Sequence, residues 1–238
     1  MIPKTIHYCW FGSGEMPQMA KDCIASWRVF MPDWEYKLWT EDNFDINSVP
    51  YTKEAYEAKK YAFVSDYVRL WALEREGGLY LDTDVLVFRS FDDLLENKAF
   101  AGFEGSKHQP IGTCVMASEP HGTWVAKMLE AYNGRHFIVN GVPDLTTNVQ
   151  FLTGIMASKG FRQDGSEQDC HGLHVYPVDY FSPRHTTGEY IRTGNTYSEH
   201  KGLASWSNHA KGWKYYLLRL LGQHNSARLI KLKRKLFG

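Results

Sequence analysis

The sequence predicts an α/β domain on a mostly parallel, Rossmann-like sheet flanked by helices, with an amphipathic helical tail at its C-terminus. Two observations carry the domain. Strand-like and helix-like segments alternate from the first residues onward, and a Gly-Gly pair separates the longest helical stretch from the most apolar strand, "LYLDTDVLVF". The 238 residues, 43% hydrophobic and 23% charged, are enough for one substantial core. One domain is therefore expected over residues 1–210, with a separate tail over 211–238.

The elements follow in order. "TIHYCWF" is a β-branched and aromatic run that stops at Gly12 and Gly14, so it reads as the first strand. Met19 to Phe30 has helical spacing, and "WEYKLWT" alternates as a strand does. Tyr51 to Arg75 reads as one helix, ended by Gly77-Gly78, and Leu79 to Phe88 as the next strand. "AFAGFE" and "GTCVMAS" follow as strands, then a helix near Thr123 to Tyr132. Beyond it a Gly/Pro/His-rich half reads as loops and short elements, including "DLTTNVQF" and "VDYFSPRHTTGEY".

Charge and cysteine usage narrow the function classes. With 27 basic and 27 acidic residues the chain has no nucleic-acid-like basic excess, so no nucleic-acid partner is expected. The balance hides an asymmetry: Lys211 to Gly238 holds eight Lys/Arg and no Asp/Glu, leaving 19 basic against 27 acidic residues elsewhere. Cys9, Cys23, Cys114 and Cys170 show neither zinc nor disulfide spacing, which suits a reducing, cytoplasmic setting. The first residues lack the pattern of a secretion signal.

Two aspartates interrupt the apolar strand. In a continuous strand Asp82 and Asp84 point the same way, with Cα atoms about 7 Å apart. Adjacent carboxylates on an apolar strand raise each other's pKa and suffer desolvation, unless a cation stands before them. Oxygen ligands of this kind suit Mg²⁺ or Mn²⁺, and departure of a diphosphate is chemistry that needs such a cation. This is the chain's one Asp-x-Asp triplet, and it closes a strand at the edge where open α/β sheets bind ligands. On the preceding helix Asp66 and Arg69 lie among apolar neighbours. They are either a surface ion pair or a pair presented to a cleft.

Taken together, "SDYVRLWALEREGGLYLDTDV" resembles the signature of the DxD-containing glycosyltransferases. That family includes bacterial capsular and lipopolysaccharide sugar transferases, yeast initiating mannosyltransferases and, more distantly, the large clostridial glucosylating toxins. "IPKTIHYCWFG" is similar to the family's first strand, and "HKGLASW" to its C-terminal Ser-Trp motif, although Lys201 stands where many relatives have a second histidine.

The resemblance implies a GT-A fold, a nucleotide-sugar donor with a UDP-hexose favoured over GDP-mannose, Mn²⁺ or Mg²⁺, and transfer with retention. It implies that Trp10 stacks on the base and that Asp66 and Arg69 hold sugar and phosphate. Asp82 would reach ribose and metal, Asp84 would ligate the metal, and Tyr80 would wall the donor site. His200 is expected at the metal or diphosphate, with Ser205 and Trp206 closing over it, and Lys201 is expected to offer charge to the leaving group. Asn148 is placed near the sugar. The competing reading is a scaffold that binds sugar nucleotides or glycans without turnover. A two-metal phosphoesterase lacks a second carboxylate/His cluster.

In the tail, Leu229, Ile230, Leu236 and Phe237 recur among Arg228, Lys231, Lys233, Arg234 and Lys235. This basic amphipathic pattern is expected to lie on an anionic membrane, at the inner face of the cell membrane, or else to pack on the domain. A membrane-side site would suit a glycan or lipid-linked saccharide acceptor in surface polysaccharide synthesis.

Overall fold

The computed structural model describes residues 1–105, 109–184 and 189–202. Ser205, Trp206 and the tail over 211–238 lie outside the described residues.

The first strand, β1 (Thr5–Cys9), leads through helix α1 (Gln18–Phe30) to β2 (Glu35–Trp39), which pairs parallel to β1 from Thr5↔Glu35 to Cys9↔Trp39. Helices α2 (Pro50–Glu57) and α3 (Tyr61–Glu76) then return the chain to β3 (Gly78–Leu81), parallel to β1 on its other side. The turn between α3 and β3 requires its glycines. Gly78 has φ of +102°, and a Cβ there would sit 2.5 Å from the Thr5 carbonyl oxygen, so only glycine lets β3 lie against β1.

The single helix expected over 51–75 is two. Lys59 adopts φ of +56°, and α2 ends in a Schellman motif in which Lys60 N donates to Ala55 O and Lys59 N to Tyr56 O. A lysine holds the left-handed position usually given to glycine, so the break carried no composition signal.

The strand expected over 79–88 is also interrupted. After β3, Asp82 N donates to Cys114 O and Val85 N to Asp82 O, closing a turn at Asp82–Asp84 before β4 (Val85–Val87) begins. The aspartates are therefore turn residues at a strand's carboxyl end, not alternating positions inside one strand.

Strands β5 (Ala99–Phe103) and β6 (Ile111–Ser118) follow, then α4 (Thr123–Glu130) and a short hairpin of β7 (Ile138–Val139) and β8 (Val142–Pro143). The half read as loops also holds α5 (Asn148–Ala157), β9 (Gln168–Cys170), β10 (Leu173–Tyr176), α6 (Val178–Phe181) and β11 (Ser198–His200). The central sheet has the order β2-β1-β3-β6-β5-β10-β9. Its pairings make β2, β1, β3, β5 and β10 run one way, with β6 and β9 reversed, so the sheet is mostly parallel in direction.

Alternation along the strands splits the core into two layers. Tyr80, Ala101 and Met116 pack against α3, α4 and α5, whereas Leu79, Leu81, Phe100 and Val115 pack against Trp27 of α1 and the aromatic cluster of Phe91, Phe181 and Tyr197. All four cysteines are buried and free.

Candidate functional site

The site forms at the carboxyl edge of the sheet, where β1 and β3 end. From the helix side α3 contributes Asp66 and Arg69, and α3 is buried nearly all round: Phe63, Val64, Tyr67, Val68, Leu70, Ala72 and Leu73 are buried with them. Arg69, 4% exposed, stands at the centre. Its Nη2 lies 3.0 Å from Asp66 Oδ1 and 3.4 Å from Asp82 Oδ1, its Nη1 donates to Thr113 O at 2.7 Å, and its Nε donates to Ser65 O at 3.2 Å. The guanidinium also stacks over the Tyr80 ring, 4.6 Å from its centre.

This geometry revises two expectations. Arg69 spends most of its N–H donors on the protein, so it holds carboxylates in place rather than clamping sugar and phosphate with an open fork. Tyr80 is 1% exposed and lies behind the site, not along its wall; its hydroxyl donates to Asp82 Oδ1 at 2.9 Å. Arg69 and Tyr80 thus fix the same oxygen of Asp82.

Asp66 is the buried member of the group. Burial pushes its carboxyl up to about 6; Arg69 opposes that rise and Asp82 adds to it. Its other oxygen accepts from Asn148 N at 3.3 Å, while Asn148 Nδ2 donates to Asp66 O at 3.3 Å. Asn148, expected in a loop near the sugar, is the first residue of α5, 2% exposed, and touches Asp66. The helix start was written in the sequence: Thr147 and Gln150 form a capping box, with Gln150 N donating to Thr147 Oγ1 at 3.3 Å. The positive end of the α5 dipole faces the Asp66 carboxylate.

The turn at Asp82–Asp84 meets a distant segment. β11 pairs antiparallel with β4, setting His200 opposite Val85, and Lys201 N donates to Asp84 O at 2.9 Å. His200 Nε2 then lies 3.3 Å from Asp84 Oδ1, and Asp82, Asp84 and His200 each offer a ligand atom within 4.8 Å of the others. Lys201 is turned away from the expected leaving-group role: its Nζ pairs with Glu199 Oε2 at 3.0 Å.

One carboxylate missing from the sequence reading belongs to the same acidic patch. Glu104, half-buried at the end of β5, has its carboxyl pushed up by burial, with His200 lowering it and Asp82 raising it. Trp10 emerges half-buried just beyond β1 at the same sheet edge, its indole donating to Gly14 O at 2.6 Å.

The donor set fits a hard divalent cation. Two carboxylates and one imidazole can hold such an ion and leave further positions for water or phosphate oxygens, and the nitrogen ligand suits Mn²⁺ better than Mg²⁺. The surrounding acid, with Glu104 next to Asp82 and His200, adds to the need for positive charge there.

Known proteins bear on this geometry. Residues 17–101 match the family model described as the glycosyltransferase sugar-binding region containing a DXD motif. The chain is 35% identical over 103 residues to inositol phosphoceramide mannosyltransferase 3 of Schizosaccharomyces pombe, a match over 42% of this chain and 29% of that protein. It is 30% identical over 137 residues to mannosyl phosphorylinositol ceramide synthase SUR1 of Saccharomyces cerevisiae, over 55% of this chain and 35% of that one. The matched segments thus span about a third of those relatives. Among solved structures, the PaToxG glycosyltransferase superposes with a TM-score of 0.50 at 17% identity, over 67% of this chain and 72% of that one. The likeness is one of fold, and the fold is GT-A.

Proposed function

We propose, from the match of residues 17–101 to the model of the DXD-containing glycosyltransferase sugar-binding region, that this chain transfers a hexose from a nucleotide-sugar to a glycan or lipid-linked saccharide, with retention. The observation that carries the reading is the Asp82–Asp84–His200 trio at the carboxyl edge of a GT-A sheet, backed by a buried Asp66–Arg69 pair. A scaffold without turnover has no physical need for so many carboxylates in one partly buried place.

Asp82, Asp84 and His200 would hold the Mn²⁺, which when bound supplies positive charge to the departing diphosphate. Arg69 and Tyr80 orient Asp82 by fixing one of its oxygens, so that the other faces the donor. Asp66, held by Arg69 and the start of α5, is placed to accept from sugar hydroxyls. Trp10 offers a half-exposed indole at the β1 side for the nucleobase. Attack by the acceptor hydroxyl on the face from which the diphosphate leaves needs no protein base, since the departing phosphate oxygen takes its proton.

The names of the yeast relatives, mannosyltransferases of inositol phosphoceramide, favour mannose carried by GDP over the UDP-hexose expected from sequence, and favour a lipid-borne acceptor. A donor panel decides: nucleoside diphosphate released from GDP-mannose, UDP-glucose and UDP-galactose, with and without Mn²⁺. Release from one donor, dependent on Mn²⁺, is expected; release from none would overturn the reading.

A lipid-borne acceptor agrees with peripheral attachment at the cytoplasmic face of the membrane through the basic residues of 211–238, each adding on the order of 1 kcal/mol near anionic lipid. In flotation with phosphatidylserine-containing liposomes the full chain should float and a chain ending at Ser207 should not. Equal partitioning rejects the attachment.

A further inference from the structure

A buried carboxylate next to His200 is used by no step above. Glu199 is 3% exposed, in the middle of β11. Side chains alternate along a strand, so Glu199 points to the side opposite Ser198 and His200. Its Oε1 accepts from Arg184 Nη2 at 2.6 Å and Arg184 Nε at 3.2 Å; its Oε2 accepts from the Tyr190 hydroxyl at 3.0 Å and pairs with Lys201 Nζ at 3.0 Å. Arg184 and Tyr190 are also bridged through their backbones, and Ile191 N donates to Pro183 O at 2.8 Å, so both ends of one segment close on this carboxylate.

Two cations and a hydroxyl are more than neutrality requires. What they add is direction: four donors converge on the two oxygens of one carboxylate and restrain the strand that carries it. β11 has three residues and pairs with the equally short β4, which gives the strand little rigidity of its own. His200 nevertheless reaches Asp84 within 3.3 Å from a distant part of the chain.

We propose that Glu199 is a positioning residue for His200: by clamping β11 from behind, it sets the imidazole against Asp82 and Asp84 and thereby sets the affinity for a divalent cation. The inference rests on the cation reading above. Groups hydrogen-bonded directly to a metal ligand change affinity about 10- to 100-fold when removed, and a residue that acts on the ligand through its strand is expected at the lower end of that range.

The test is a Mn²⁺ titration, free ion followed by electron paramagnetic resonance, on the full chain and on Glu199→Gln, His200→Ala and their double variant, with far-UV circular dichroism to establish folding. Glu199→Gln should weaken Mn²⁺ about 10-fold in the presence of His200 and add no further loss in the His200→Ala background. Unchanged affinity in Glu199→Gln overturns the proposal, as does an equal loss with and without His200, which marks a general effect on the fold. Should Glu199→Gln not fold, Tyr190→Phe removes one donor alone and should give a smaller loss with the same dependence on His200. Donor turnover in wild type, measured alongside, separates the two ideas: turnover with Mn²⁺ bound but no effect at Glu199 leaves the function standing and removes the clamp.

Discussion

Asp84→Ala should abolish Mn²⁺-dependent release of nucleoside diphosphate, by about 1,000-fold or more, in a chain that still folds. The figure follows from what the position supplies: several kcal/mol of charge stabilisation at a leaving diphosphate, with each 1.36 kcal/mol worth tenfold in rate. Folding should survive because the turn is held by its backbone. Val85 N to Asp82 O and Lys201 N to Asp84 O both persist when the side chain is cut at Cβ. Asp84→Asn keeps the shape and loses the charge, and should be nearly as inactive. Turnover of donor by Asp84→Ala at the wild-type rate, measured at saturating Mn²⁺, would sink the assignment of the trio.

The parts of this site differ in how far they could be read from sequence, and the reason is distance along the chain. Asp66, Arg69, Asp82 and Asp84 sit within one helix–turn–strand unit, so local periodicity and the Gly-Gly stop were enough to bring them together. The alternation of strands and helices likewise exposed the layered fold. Local rules failed where the backbone did something its residues do not advertise. Lys59 takes a left-handed conformation without being glycine, and a turn at Asp82–Asp84 splits a run whose flanks on both sides have strand composition.

The distant contributions were legible only by likeness. His200 comes to Asp84 through a β4–β11 pairing for which three-residue strands leave almost no pattern. The Glu199 clamp left none, because it depends on Arg184, Tyr190 and Lys201 converging. The sequence placed Arg69 on donor sugar and phosphate, whereas its contacts in the fold are with the protein itself. Sequence shows which charges face a cleft; it does not show that Thr113 O, Ser65 O and two carboxylates have already claimed the guanidinium.

Those contacts predict an effect on folding as well as catalysis. Arg69→Leu should lower stability at pH 7.5 by about 3–5 kcal/mol, the usual cost of stranding the partner of a buried ion pair. In a domain of this size that is roughly 10 °C in melting temperature. It should also abolish donor turnover, since Asp66 and Asp82 lose the group that orients both.

The pH dependence follows from the Asp66 carboxyl, whose pKa is raised from 3.8 to about 6 in the folded state by burial, with Arg69 holding it down. Between those values the folded chain keeps a proton that the unfolded chain has lost, so this group's contribution to stability falls as pH rises. Without Arg69 the folded pKa climbs further, and the window of falling stability extends upward through neutrality. Arg69→Leu should therefore recover part of its loss when melted at pH 5.5, where wild type gains less. The double variant Asp66→Asn/Arg69→Leu, with no buried Asp66 charge left to strand, should melt above Arg69→Leu at pH 7.5 and remain inactive. If Arg69→Leu melts like wild type at both pH values, the pair is not the buried, mutually dependent unit that its contacts describe.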